Sequence, residues 1–302
     1  MRPTTLPSVL LASLAALAAG GVLAQSAVHK IPDIEYARSG TDVLRLDLYE
    51  SERTTNETLL VWLHGGAWEN GSKAAVPAGV IGLVGRGYAI ASVDFLPASA
   101  ARFPAQVLEI KAAIRFLRAQ ARTYGYDATR IGILGVSSGA HLAALVGTSN
   151  GEAELEGSLG EHLDQSSAVQ AIVSYFGASN LMTILDQSTP FGVGVRQPAL
   201  IRLLGGLPSE VEPIAKLASP VFHVDSTDPP LLLLHGDQDR QMPINQSHEL
   251  EGAYERQGLN VDFIVVHDAG HGGDAFYAPA HLQRVVSFLD AELRPKRRRP
   301  GT

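Results

Sequence analysis

The stretch from Arg130 to Thr148 reads RIGILGVSSGAHLAALVGT. Within it, Gly135-Val136-Ser137-Ser138-Gly139 joins one apolar run to another. A serine hydroxyl is a weak nucleophile. It becomes useful when a neighbouring base takes its proton and a third group orients that base. The Gly-x-Ser-x-Gly frame selects Ser137, because centring on Ser138 requires glycine where Val136 stands. The pentapeptide alone is a modest signal, since a glycine-rich chain of this length holds roughly 0.2 copies by chance. Its setting adds weight. A strand-like run enters and a helix-like run leaves, as a nucleophile elbow requires. The glycines let backbones approach closely in a sharp turn, and the helix start offers free N–H groups to negative charge.

Partners for Ser137 follow in the order acid, then histidine. After LLLLHG come Asp237 and Asp239, and after VDFIVVHDA comes His271. Both sites lie at the C-terminal ends of strand-like runs, where ligand chemistry gathers in open parallel sheets. Asp239 is preferred because it lies beyond the strand end, with room to turn back. Asp237 sits in the turn itself, where aspartate commonly bonds its own backbone. His271 lies between glycines in a loop and is preferred as base. His267 ends a strand and is expected to face a sheet neighbour. His64 and His235 precede glycines and are expected to shape turns through backbone hydrogen bonds. Upstream, WLHGGAW (Trp62 to Trp68) stands where a histidine-glycine loop donates N–H groups to an oxyanion. The donors expected are Gly66, Ala67 and Ser138, with Gly65 as an alternative. Ser138 thus contributes its backbone rather than its hydroxyl. Trp68 is expected to contact substrate. This set performs acyl transfer through serine and calls for no cofactor and no metal.

The surrounding elements must hold these residues together. Short runs rich in Val, Ile and Leu (Thr58 to Gly66, Tyr88 to Phe95, Arg130 to Val136, Ala171 to Gly177, Pro230 to Gly236, Val261 to Asp268) suit strands buried on both faces. Between them, 104–125, 243–258 and 279–293 carry helical periodicity or helix-start and helix-stop residues. Alternation of this kind indicates an α/β fold with a mostly parallel central sheet flanked by helices. Residues 36–50 alternate around Ser39-Gly40 and read as an antiparallel hairpin at the sheet edge. Residues 181–228 break the alternation. They contain many Gly and Pro residues and no long periodic helix, and they read as a small cap or lid insertion. The acidic stretch 151–165 lacks the ligand spacing of a calcium loop.

The 302 residues carry Lys+Arg 24 against Asp+Glu 31, a net charge of −7, with no Cys. A mildly acidic chain lacks the basic footprint of a nucleic-acid binder. The missing cysteines exclude disulfides, thiolate catalysis and Cys-ligated metal. Residues 1–24 have Arg2, a short apolar core from Val9 to Ala19 and small residues before Gln25. That reads as a signal peptide cleaved after Ala24, and its apolar core is shorter than the ~20 residues of a spanning helix. The expected organisation is therefore a leader (1–24), one α/β domain (25–293) with its insertion at 181–228, and a basic tail (294–302), in a secreted or periplasmic protein without a stable membrane anchor.

These motifs resemble the α/β-hydrolase superfamily, and within it the hormone-sensitive-lipase-like and bacterial feruloyl-esterase-like carboxylesterases. The likeness rests on HGGAW followed by NGSK, FPAQ with KAAIRFLR, DATRIGILGVSSGAHLAAL, LASPVFHV with PPLLLLHGDQD, and DAGHGG. It implies Ser137, Asp239 and His271 as a catalytic triad and an ester substrate, either small or carbohydrate-linked. Two departures stand out: DFLP (Asp94 to Pro97) where DYRL is usual, and Ser138 where alanine is usual. The first lies near the substrate; the second is tolerated because only its N–H is used. An arylformamidase or an exopeptidase of the same fold, a secreted acyltransferase and an inactive binding protein stay open as alternatives.

Overall fold

A computed structural model of the chain describes residues 28–52 and 57–294. The leader and all but the first residue of the basic tail lie outside that range. Eight strands form one sheet: β1 (Val28–Ser39), β2 (Asp42–Ser51), β3 (Thr58–Leu63), β4 (Tyr88–Val93), β5 (Asp127–Val136), β6 (Ala171–Tyr175), β7 (Leu231–Gly236) and β8 (Val261–Val266). Their spatial order is β1-β2-β4-β3-β5-β6-β7-β8. The hairpin β1-β2 and the pair β2-β4 are antiparallel; every other neighbouring pair is parallel. The edge hairpin is the one the patterning predicts. Of the six runs read as strands buried on both faces, β3 to β7 have buried apolar cores, whereas β8 lies at the opposite sheet edge and is only half-buried, because no strand covers its outer side. The sheet is the mostly parallel one of an α/β-hydrolase fold.

Five longer helices matter for the site: α1 (Ala105–Ala119), α2 (Ser138–Thr148), α3 (Pro190–Leu204), α4 (Asn245–Arg256) and α5 (Pro279–Leu293). Side chains alternate across a strand, so each central strand feeds two cores. Leu59, Val61 and Leu63 of β3 pack in one layer with Val107, Ile110 and Ile114 of α1 and Leu142 and Val146 of α2. Leu60 and Trp62 face the other layer, with Val285, Leu289 and Leu293 of α5. That two-sided burial is why these strands read as continuous apolar runs rather than alternating ones.

The 181–228 segment differs from its sequence reading. It contains α3, a 15-residue helix, besides the short helices Ile184–Gln187 and Glu212–Leu217. Its ends carry ordinary signals. Thr189 caps the start by accepting from the Gly192 N–H, Pro190 occupies the first turn, and Gly205 closes the end at φ 91°. Gly192, Gly194 and Pro198 within it disguise the periodicity. The acidic stretch has a packing role: Glu156 pairs with the buried Lys111 and Arg115 of α1, clamping the loop onto the helix. Among the described residues no helix is long and apolar enough to cross a membrane.

Candidate active site

Five loops leave the C-terminal ends of parallel strands and meet at one place. They follow β3 (His64-Gly65-Gly66-Ala67), β5 (Ser137), β6 (Phe176), β7 (Asp239) and β8 (His271). Ser137 sits between β5 and α2 at φ 53°, ψ −118°, a conformation L-residues rarely adopt. Two glycines make the turn feasible. A Cβ on Gly135 would lie 2.4 Å from the Gly139 carbonyl oxygen, and one on Gly139 2.3 Å from that of His64. The strand, the helix and the histidine-glycine loop therefore approach more closely than any side chain permits. The Ser137 N–H is tied to the Tyr175 carbonyl at 2.9 Å. The two serines separate cleanly. The Ser137 hydroxyl reaches His271, whereas the Ser138 hydroxyl is buried without a hydrogen-bond partner among the described residues.

The proton path is continuous. Ser137 Oγ lies 2.8 Å from His271 Nε2, and His271 Nδ1 lies 2.6 Å from Asp239 Oδ2. The carboxylate is an acceptor, so Nδ1 carries the proton and donates it. Nε2 is then left to accept from the serine hydroxyl. The other Asp239 oxygen accepts the N–H groups of Gln241 and Met242, both at 2.8 Å. His235, donating to the Met242 carbonyl at 3.0 Å, approaches Asp239 Oδ2 at 3.4 Å. Burial works to raise the Asp239 carboxyl, but the bonds from His235 and His271 outweigh it and hold it well below the usual carboxylate range. Burial also lowers His271, and the raising effect of Asp239 only partly opposes it. The Phe176 ring packs edge-on against the imidazole at 4.8 Å and supplies part of that apolar surrounding.

The remaining expectations divide. Gly66 and Ala67 line a cavity of ≈ 300 Å³ with Ser137, Phe176, Val195, Arg196 and His271. Ser138 begins α2, in the first turn, whose N–H groups lack intrahelical partners. His64 bonds the Gly65 carbonyl, as expected of a turn-shaping histidine, and its ring stacks on Phe95 of the DFLP stretch at 4.4 Å. Asp237 does not bond the backbone of its own turn, though its carboxylate accepts from the Gln238 side chain at 3.1 Å. It accepts from the Asp268 N–H and from His267, fastening together the two loops that carry Asp239 and His271. Trp68 is a correction. It is 1% exposed and does not line the cavity. Its indole N–H donates to His141 Nδ1 at 3.1 Å, and His141 in turn donates to the Ala218 carbonyl at 2.6 Å. A large ring following two glycines anchors their loop, through His141, to α2 and to the backbone at Ala218.

Sequence reasoning missed Arg196, which reaches the site from α3. It also missed the support given to Asp239 by His235 and by the 241–242 backbone. The capping residues around α3 were the available signal for the first. The second depends on a turn geometry that spacing does not reveal.

The BD-FAE family model matches residues 46–254. Esterase LipC of Mycobacterium tuberculosis is 30% identical over 222 residues, covering 72% of this chain and 53% of that protein. Isoprenylcysteine alpha-carbonyl methylesterase ICME of Arabidopsis thaliana is 27% identical over 234 residues, covering 75% and 53%. The chain thus spans about half the length of these curated relatives. Among solved structures, a truncated carbohydrate esterase from gut microbiota superposes with TM-score 0.79 at 31% identity, covering 88% of this chain and 96% of that one. The bifunctional GH43-CE protein of Bacteroides eggerthii gives TM-score 0.78 at 32% identity, covering 87% and 35%.

Proposed function

The chain belongs to the BD-FAE family, and from that premise we propose that it is a serine carboxylester hydrolase. The observation that carries this reading is the unbroken Ser137–His271–Asp239 hydrogen-bond relay at 2.8 and 2.6 Å. Esterase relatives, and a carbohydrate esterase that the chain covers almost fully, support it.

In the proposed cycle, neutral His271 takes the Ser137 proton as Oγ attacks the ester carbonyl. The developing oxyanion is received by the N–H groups of Gly66, Ala67 and Ser138. Such donors are worth about 10²- to 10³-fold in rate each. His271 then passes its proton to the leaving alcohol, and an acyl group stays on Ser137. Water, deprotonated by the same histidine, releases the acid. Every step uses groups of this chain. Asp239, deprotonated and anchored by two backbone N–H groups, stabilises the imidazolium formed at each transfer.

Small or carbohydrate-linked esters fit a cavity of ≈ 300 Å³ that opens at the sheet edge. The reading includes export, supported by the sequence of residues 1–24 and tested by an N-terminus beginning at Gln25 in exported protein. The decisive experiment on activity is Ser137→Ala. The variant is expected to fold as wild type, to lose turnover of 4-nitrophenyl acetate and to lose labelling by a fluorophosphonate. Full activity in that variant removes Ser137 from the mechanism.

A further inference from the structure

Helix α3 turns one long cation inward. Its buried residues are Gly192, Arg196, Ala199, Leu200, Leu203 and Leu204, at helical spacing. Such a series is ordinarily apolar throughout, and an arginine in it calls for a reason. Arg196 is 1% exposed. Its Nε–H donates to the Gln241 carbonyl at 3.2 Å, and Nη2 approaches His271 Nε2 at 3.5 Å. Among the described residues it has no carboxylate within ion-pair distance and no acceptor for Nη1. Burial pulls the guanidinium down only to about 10, so it stays charged near neutrality. The Asp239 charge supports it through space, but no carboxylate bonds it directly, and a buried cation so incompletely paired is costly unless something completes it.

The position of the cation indicates what completes it. Arg196 lines the cavity that holds Ser137 and His271. His271 Nε2 is the atom that hands a proton to the leaving alcohol, so a group 3.5 Å from it stands beside that alcohol. Once Nε2 has taken the serine proton, the imidazolium is balanced by Asp239 on its Nδ1 side. On its Nε2 side it faces a second positive charge. A neutral alcohol leaves that repulsion in place. A carboxylate on the alcohol removes it and accepts the free guanidinium donors in a paired geometry that suits arginine.

We propose that Arg196 is a specificity-determining residue that binds a carboxylate on the alcohol portion of the ester, making esters of hydroxy acids, including acylated acidic sugars, the preferred substrates. This inference rests on the serine-esterase reading above.

The test compares kcat/KM, followed by acid release at constant pH, for two matched pairs. One pair places the charge on the alcohol: acetoxyacetate and its neutral amide, 2-acetoxyacetamide. The other places it on the acyl group: monomethyl succinate and methyl succinamate. The wild type is expected to prefer acetoxyacetate to its amide by about 10- to 100-fold, the range of one charged hydrogen bond. It is expected to show no preference within the acyl pair. Arg196→Gln is expected to bring the first ratio close to one, and Arg196→Lys to retain part of it. A merely structural role for Arg196 lowers both members of a pair together and leaves the ratio intact. A wild-type ratio near one, an unchanged ratio in R196Q, or a preference confined to the acyl pair each overturns the proposal. Fluorophosphonate labelling separates the two readings. Labelled enzyme without carboxylate preference sinks only this inference, whereas enzyme that neither labels nor turns over either amide sinks the esterase reading as well.

Discussion

Replacing Asp239 by asparagine changes one atom and should disable the relay through a tautomer. Oδ1 of Asp239 accepts the Gln241 and Met242 N–H groups at 2.8 Å, while Oδ2 faces His271 Nδ1 at 2.6 Å. In Asp239→Asn the amide oxygen stays with the two backbone donors, and the NH2 group turns to His271. Flipping the amide would set NH2 against two N–H groups and forfeit both bonds. At about 1–3 kcal/mol for each buried N–H left unpaired, that is roughly 2–6 kcal/mol. The imidazole must then accept at Nδ1, which moves its proton to Nε2, where it cannot receive one from Ser137. A wrong tautomer of this kind costs about 10⁴-fold in kcat, or roughly 5.5 kcal/mol. The flip is therefore no cheap escape. The assay is steady-state hydrolysis of 4-nitrophenyl acetate, with circular dichroism to establish folding and Asp237→Asn as comparison. Asp237 lies outside the relay, and its replacement is expected to cost less than about fivefold, an effect of loop order rather than chemistry. If D239N keeps more than a tenth of wild-type kcat, or D237N loses as much as D239N, the assignment of the orienting acid is wrong.

Other outcomes follow from the same geometry. Gly139→Ala puts a methyl group 2.3 Å from the His64 carbonyl oxygen and should destabilise by about 3 kcal/mol, lowering Tm by about 10 °C in a thermal scan; an unchanged Tm contradicts the close approach. The pH profile of kcat/KM should show an acidic limb below 6.5. His271 must be neutral to accept the serine proton, burial lowers its pKa, and activity is lost as pH falls through that lowered value; a limb above 6.5 would falsify the desolvation argument. Trp68→Phe removes the bond to His141 and should cost about 1 kcal/mol in denaturant unfolding while leaving acyl-chain preference as in wild type; a shifted preference would return Trp68 to the substrate pocket.

The chemistry-bearing residues were legible because each stands just after an apolar run, and runs of that kind become parallel strands of one sheet. All such strands point their C-terminal ends one way, so Ser137, Asp239 and His271 share an edge although 134 residues separate the first from the last. Glycines around Ser137 were legible for a related reason: only an unusually tight turn needs two of them. Helix α3 was not legible as a helix, because Gly192, Gly194 and Pro198 depress its propensity and tertiary packing supplies what propensity lacks. Trp68 was misread because an aromatic residue beside an oxyanion loop can face substrate or core with equal sequence logic. Its indole N–H found His141, 73 positions away.

The sequence by itself determined the layered α/β architecture, the order serine, aspartate, histidine along the sheet edge, and the choice of Ser137 over Ser138 as the serine facing that histidine. These follow from periodicity and from the size of glycine, which act locally along the chain. Only the tertiary structure decided which way each large or charged side chain turns. It buries Trp68, clamps Asp239 between two backbone N–H groups and two histidines, and brings Arg196 from α3 to within 3.5 Å of His271. The reason is that burial and hydrogen-bond satisfaction are settled between segments far apart in sequence. An inward-facing arginine looks the same in a sequence as one facing water.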